Sequence, residues 1–93
     1  MQYKTNWTFL TNHSHVLLCI AKNPEIRMKD IAGIVGITER AVHRIVTDLS
    51  DSGYVDSRRD GRCNVYTTHP EKPLRHPVES MNQVADLIRL IGR

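Results

Sequence analysis

Apolar residues recur at helical spacing in the first half of the chain. The first such stretch follows Asn12, a residue type that favours the N-cap position of a helix. The apolar run Val16–Ile20 extends so far around this predicted helix that we expect it to be packed on two sides. Asn23-Pro24 ends the helix, because the residue before a proline avoids helical dihedral angles.

Two further predicted helices are joined by a tight turn. Residues 28–36 form a short amphipathic helix that stops at Gly36, because glycine accepts the left-handed conformation after a helix end. Thr38 is the expected N-cap of the next helix, which covers residues 38–52 and is closed by Gly53. The apolar positions of this helix lie on one stripe, namely Val42, Ile45, Val46 and Leu49.

The second half of the chain predicts a β-hairpin and a last helix. Residues 54–68 contain two short runs of strand-forming residues around Asp60-Gly61, a strong signal for a hairpin turn. The last helix is expected over residues 77–91. Pro77 suits its first position, since the missing N–H is not needed there. His76 is then the expected cap, with Glu79 at the third helical position.

The central segment resembles a known DNA-binding motif. Residues 28–47 are similar to the helix-turn-helix of bacterial and archaeal transcription regulators, in residue types at set places. These are a small residue on the first helix, a glycine in the turn, an apolar residue after it and two buried positions on the second helix: Ala32, Gly36, Ile37, Val42 and Ile45.

The following hairpin extends this resemblance. Gly53-Tyr54-Val55 followed by a basic turn looks like the wing of ArsR-like and MarR-like regulators, so the resemblance covers residues 12–69. It implies a mainly α winged helix-turn-helix fold with a small β-hairpin wing, as one domain over residues 1–93. The helix-turn-helix lies at about 28–52, the wing at about 54–68 and a C-terminal dimerisation helix at about 77–91.

The resemblance assigns the helix at 38–52 to the major groove of double-stranded DNA, which is wide enough to admit one α-helix. With the apolar stripe turned inward, the opposite face and the cap form the candidate DNA contacts: Thr38, Arg40, His43, Arg44 and Thr47. Three wing arginines are candidates for phosphate or minor-groove contacts: Arg58, Arg59 and Arg62.

The charge balance keeps other functions open. The chain carries a net charge of +3, yet five arginines between Thr38 and Arg62 are matched by five carboxylates. DNA binding therefore depends on how these charges are segregated. A protein-interaction module that touches no DNA, and a non-specific DNA- or RNA-binding protein, are alternatives to a transcription regulator, because a fold does not fix a function.

A homodimer is the expected assembly. The apolar N-terminal segment and the predicted last helix carry more apolar surface than one small domain covers. The expected interface residues are Trp7, Phe9, Leu10, Val84, Leu87, Ile88 and Ile91. The alternative is a monomer that folds both ends over one core.

The sequence favours no enzyme, cofactor or metal site. It has no phosphate-binding glycine loop, no nucleophile elbow and no zinc motif, and His13 and His15 do not share a helix face. Cys19 and Cys63 are expected to be reduced thiols. No secretory signal or membrane span is apparent, so we expect a cytoplasmic protein, with an effector ligand of unknown identity left open.

Overall fold

The computed structural model describes residues 7–91. Within this range the chain forms four helices and one two-stranded antiparallel sheet. The elements follow in the order α1 (Asn12–Lys22), α2 (Met28–Val35), α3 (Glu39–Asp51), β1 (Val55–Asp60), β2 (Cys63–Thr68) and α4 (Val84–Ile91). The predicted mainly α fold with a β-hairpin is confirmed.

Helix α1 begins one residue earlier than predicted. Its N-cap is Thr11, whose hydroxyl oxygen accepts a hydrogen bond from the Ser14 N–H at 3.5 Å. The prediction of Asn12 as the cap is therefore wrong. Asn12 is the first helical residue, and its side-chain oxygen instead lies 3.1 Å from Nδ1 of His15. Both residue types are good caps, so sequence preference alone did not separate them.

The turn between α2 and α3 follows the predicted chemistry. Gly36 has a φ angle of +85°, a left-handed conformation that suits glycine. The N–H groups of Gly36 and Ile37 both donate to the Ala32 carbonyl, at 2.8 and 3.1 Å, which satisfies the end of α2. Thr38 then caps α3, since its hydroxyl oxygen accepts from the Ala41 N–H at 3.0 Å. This short connection fixes the angle between the two helices.

The hairpin turn is shifted by one residue from the prediction. Asp60 pairs with Cys63 as the last pair of the ladder, so the two-residue loop is Gly61-Arg62. Gly61 has a φ angle of +65°, and Arg62 has a negative one. A positive φ at the first loop position alone matches a type II′ turn, in which glycine takes that position. The first strand also begins at Val55, one residue later than expected.

The last helix is shorter than predicted. It begins at Val84. Residues 77–81 form turns instead of the expected first turns of a helix, and Gln83 pairs with Pro73 in an isolated β-bridge. Val78 and Met81 in this segment are 84% and 94% exposed, so they form no apolar face that would hold a helix on the core. His76 accepts a hydrogen bond from the Val78 N–H at 3.1 Å and thus caps a turn, not a helix.

Helix α4 starts at its own cap. The Gln83 N–H donates to the Asp86 carboxylate at 2.8 Å, and this hydrogen bond lowers the pKa of Asp86, with a smaller contribution from Arg89. Backbone hydrogen bonds also fix the helix start, from the Val84 N–H to the Lys72 carbonyl and from the Ala85 N–H to the Pro70 carbonyl, both at 2.9 Å. The segment after the wing is thereby fastened to α4.

One apolar core joins all of these elements. Helices α1, α2 and α3 pack against one another, and the base of the hairpin and the first residue of α4 close the core. The buried residues are Val16, Leu17, Ile20, Ile31, Ala32, Val42, Ile45, Val46, Leu49, Tyr54, Val55, Tyr66 and Val84. The outward faces of α3 and the hairpin remain exposed.

Two isoleucines of α2 provide a matched test of this core. Ile31 is fully buried and Ile34 is 68% exposed. We expect Ile31→Val to lower the free energy of unfolding by about 1 kcal/mol, because a methyl group leaves a packed site. Ile34→Val should change it by less than about 0.5 kcal/mol. Urea denaturation of both variants measures the difference, and equal effects would contradict this packing of α2.

Candidate nucleic-acid interface

Helix α3 presents a polar face opposite its buried stripe. The side chains of Arg40, His43, Arg44 and Thr47 are exposed, and Thr38 is exposed at the cap. We call these five residues the α3 surface. Four of them, all except Thr47, line one shallow depression together with Ala41. The structure thus brings together the residues that the sequence assigned to this helix.

The arginines of the α3 surface are available to a ligand. Among residues 7–91, neither Arg40 nor Arg44 has a carboxylate within ion-pair distance. Four residues apart, they lie on neighbouring turns of the same face. Thr47 differs, since its hydroxyl donates to the His43 carbonyl at 3.0 Å and is therefore engaged within the helix. A polyanion that approaches this face meets two guanidinium groups that have no ion-pair partner in the described part of the chain.

Two of the five carboxylates between Thr38 and Arg62 are hydrogen-bonded to histidines. Nε2 of His13, in the first turn of α1, lies 2.9 Å from Oδ2 of Asp48 on α3. Nε2 of His69, just after β2, lies 2.6 Å from Oδ2 of Asp56 on β1. The balance of five arginines and five carboxylates is thus not uniform over the surface. Asp48 is engaged by α1, and Asp56 is engaged at the base of the hairpin.

The hairpin separates its arginines. Side chains alternate between the two faces of a strand, so Arg58 and Arg59 point to opposite sides. Arg59 pairs with Asn64 and shares the ribbon face of the buried Val55 and Tyr66, while its Nε donates to the Gly61 carbonyl at 3.3 Å. Arg58 lies on the other face between Asp56 and Asp60. Arg62 occupies the turn itself.

A groove lies between the hairpin and the start of α2. Arg62, Asn64 and Tyr66 form its hairpin side, and residues 25–29 form its other side, with Glu39 at the start of α3. Arg27 and Lys29 are exposed here and were not among the DNA contacts predicted from the sequence. Their position directly before and within the first helix of the helix-turn-helix was the available signal, because that helix crosses the DNA backbone in this motif.

The expected interface residues of a dimer have different environments. Trp7 and Phe9 are 62% and 92% exposed and contact each other edge to face, with ring centroids 5.1 Å apart. Val84, in contrast, is buried in the core of this chain and offers no free surface. The other expected residues are partly exposed: Leu10, Leu87, Ile88 and Ile91.

The two thiols also differ. Cys63 on β2 is exposed, whereas Cys19 on α1 is half-buried. Partial burial raises the pKa of the Cys19 thiol, and the nearby Lys22 ammonium opposes this rise.

Within residues 7–91, no group of three or more His, Cys, Asp or Glu side chains could hold a metal ion. None of the helices in this range is long and apolar enough to cross a membrane.

Known structures share this fold. The PcaV transcriptional regulator from Streptomyces coelicolor, in complex with its natural ligand, matches with a TM-score of 0.58 and 22% identity over 67% of this chain and 46% of PcaV. Lactococcus lactis ZitR in complex with DNA matches with a TM-score of 0.57 and 17% identity over 74% of this chain and 49% of ZitR. T. potens IscR matches with a TM-score of 0.64 and 14% identity over 90% of this chain and 88% of IscR.

The sequence also has a relative and a family match. The uncharacterized protein MJ1254 of Methanocaldococcus jannaschii is 32% identical over 66 residues, which are 70% of this chain and 14% of MJ1254. The chain thus spans a small part of MJ1254 and about half of PcaV and ZitR. A family model described as winged helix-turn-helix DNA-binding matches residues 10–56, half of the chain, from α1 to the start of the hairpin. By this match and its fold, the chain belongs to the winged helix-turn-helix DNA-binding family.

Proposed function

We propose that this chain is a transcription regulator that inserts α3 into the major groove of double-stranded DNA. The observation that carries the proposal is the α3 surface, where Arg40 and Arg44 project from a helix whose opposite face is buried and have no carboxylate partner among the described residues. Arginine side chains can bind guanine edges through two hydrogen bonds or clamp phosphates. A sequence preference then arises from this face.

The two ends of α3 have different roles in this proposal. The N-terminal end, with Thr38 and the first N–H groups of the helix, faces a phosphate and sets the position of the helix on the duplex. Asp48 lies near the other end, where its carboxylate is hydrogen-bonded to His13 of α1. His43 and Thr47 lie between the ends and contact bases or phosphates according to the sequence in the groove.

The wing and the start of α2 would hold the DNA backbone on either side of α3. Arg59 and Arg62 lie at the end of the hairpin nearest the groove that also contains Arg27 and Lys29. Arg58 contributes less, because Asp56 and Asp60 flank it on the same ribbon face. Cationic side chains along this path would bind phosphates and release counterions, which makes affinity depend on salt.

The assembly that we propose is a homodimer in the cytoplasm. The apolar surface is supplied by exposed Trp7, Phe9 and Ile91 and by half-buried Leu10, Leu87 and Ile88. Val84 is left out because it belongs to the core. A two-fold dimer would place two α3 helices roughly 34 Å apart, one turn of DNA, and favours a pseudo-palindromic site. Free thiols at Cys19 and Cys63 fit a reducing compartment.

Removal of two charges from α3 tests the proposal. We expect Arg40→Ala/Arg44→Ala to weaken binding to a labelled duplex at least tenfold and to reduce the slope of log K against log salt by about 0.9 for each phosphate that is no longer neutralised. The matched control is Lys22→Ala/Arg89→Ala, which removes two charges from α1 and α4. Fluorescence anisotropy at several salt concentrations measures both. Equal binding by the two double variants, or no binding by the wild type at low salt, would favour the protein-interaction alternative.

The hairpin arginines give a second, internal comparison. Arg59→Ala and Arg62→Ala should each lower the salt slope by about one unit, as expected when one phosphate is no longer bound. Arg58→Ala should have a smaller effect, because two flanking carboxylates already compensate its charge. The same anisotropy titration measures all three single variants. A reduction for Arg58→Ala as large as for the other two would contradict the proposed wing orientation.

Sedimentation equilibrium tests the dimer. Phe9→Asp/Ile91→Asp should raise the dissociation constant of the dimer by at least about tenfold, because charges replace apolar contacts at the interface. Ile34→Asp is the control, since Ile34 is also an exposed apolar residue but lies on α2. A wild-type chain that stays monomeric at high concentration, or an equal effect of the control, would contradict this interface.

A further inference from the structure

A pocket of about 300 Å³ that opens to solvent lies at the C-terminal end of α3, away from the α3 surface. It is bounded by the first turns of α1, the end of α3, the segment after the hairpin and α4. We call it the C-terminal pocket. Its floor is apolar and made of buried or half-buried side chains: Leu17, Leu49, Tyr54, Leu74, Val84 and Leu87. No motif in the sequence pointed to this cavity, because its walls come from four separate segments.

The walls of the C-terminal pocket are fixed by hydrogen bonds. The Tyr54 hydroxyl donates to the Pro73 carbonyl at 2.5 Å, and the Lys72 ammonium lies 5.3 Å from the centre of the Tyr54 ring. The Leu74 N–H donates to the Asn82 carbonyl at 2.9 Å. Together with the bonds that tie α4 to residues 70 and 72, these contacts preform the cavity, as is usual for small-molecule sites.

The rim of the pocket carries two charges of opposite sign that are left unpaired. Arg75 makes one long hydrogen bond of 3.4 Å to the Ser52 hydroxyl, and Glu79 also lies on the rim. Neither has an ion-pair partner among residues 7–91. Two further polar rim residues, His13 and Asp48, already bind each other. The free rim therefore offers one cation and one anion above an apolar floor.

We propose that the C-terminal pocket binds a small apolar α-amino acid as its zwitterion. The ligand carboxylate pairs with Arg75, the ammonium group pairs with Glu79, and the apolar side chain rests on the leucine floor. A carboxylic acid that lacks an amine leaves the negative charge of Glu79 without a partner. An amine that lacks a carboxylate leaves the positive charge of Arg75 without a partner. The volume lies at the lower end of the range of roughly 300–1,000 Å³ for ligand sites, which suits a ligand of this size.

The pocket and the DNA-binding face share one rigid helix. Leu49 and Ser52 contribute to the pocket from the end of α3, whose first turns carry the α3 surface. A ligand that bridges α1, α3 and the segment after the hairpin biases the position of α3. Occupancy of the pocket is thereby coupled to DNA affinity, a part of the inference that rests on the proposed function.

Calorimetry without DNA tests the site directly. The probe is L-leucine, and the comparison ligands are its deaminated analogue isocaproate and its decarboxylated analogue isoamylamine. We expect leucine to bind with a dissociation constant below about 1 mM. Both analogues should bind at least about tenfold more weakly, because each lacks one charge-assisted contact. No heat with leucine, or equal affinity for either analogue, would overturn the assignment.

Rim variants make the test independent of folding. Arg75→Gln and Glu79→Gln change exposed side chains, so thermal melting should be unchanged while leucine affinity falls about tenfold. Arg89→Gln on α4 is the control and should keep full affinity. Unchanged leucine affinity in Arg75→Gln would overturn the proposed pose. In a separate titration, saturating leucine should change the affinity for the duplex, and an unchanged value would overturn the coupling.

The two sets of results are distinguishable. Leucine binding without any duplex binding would contradict the proposed DNA-binding function and leave the pocket assignment standing. Duplex binding without leucine binding would contradict the pocket assignment and leave the proposed DNA-binding function standing. If both ligands bind and are coupled, the duplex must change leucine affinity by the same factor as leucine changes duplex affinity.

Discussion

The burial of one stripe of α3 is the constraint on which the rest of the structure depends. Val42, Ile45, Val46 and Leu49 pack into the core, so the rotation of the helix about its axis is fixed. A helix repeats every 3.6 residues, and Arg40 and Arg44 must then project outward. The Gly36 turn and the Thr38 cap fix where the helix begins. The direction of the arginines is thus a consequence of core packing, not of any contact that they make themselves.

Charge segregation follows from the same packing. Because α1 lies against α3, His13 reaches Asp48, and because the chain turns back after β2, His69 reaches Asp56. Exposed ion pairs of this kind add little to stability. Their effect here is to fix the positions of two of the carboxylates that balance the arginines in the sum of charges. A chain segment with zero net charge can still present a positive face to a polyanion where its arginines lie apart from its carboxylates.

The helix-turn-helix was predictable because its signals are local: an apolar stripe, a glycine with positive φ and a threonine cap. The start of α4 was not predictable, because Val78 and Met81 have the right spacing for a helix but do not pack against the core. The side chains that project outward from α3 could be predicted from its periodicity. Arg27 and Lys29 and the C-terminal pocket depend on how distant segments meet, which periodicity does not encode.

The segment between the hairpin and α4 explains how a small fold can join distant surfaces. It bonds to the residues just after α3, since the Pro73 carbonyl accepts from the Tyr54 hydroxyl and Arg75 donates to the Ser52 hydroxyl, and its backbone holds the first residues of α4. We expect a displacement of α4 to act on the residues after α3 as well, since this segment bonds to both. Because α3 is a single helix of 13 residues, a displacement at its end is carried to its first turns. In this architecture, a continuous path of hydrogen bonds and one helix connects the apolar surface proposed for assembly with the surface proposed for DNA.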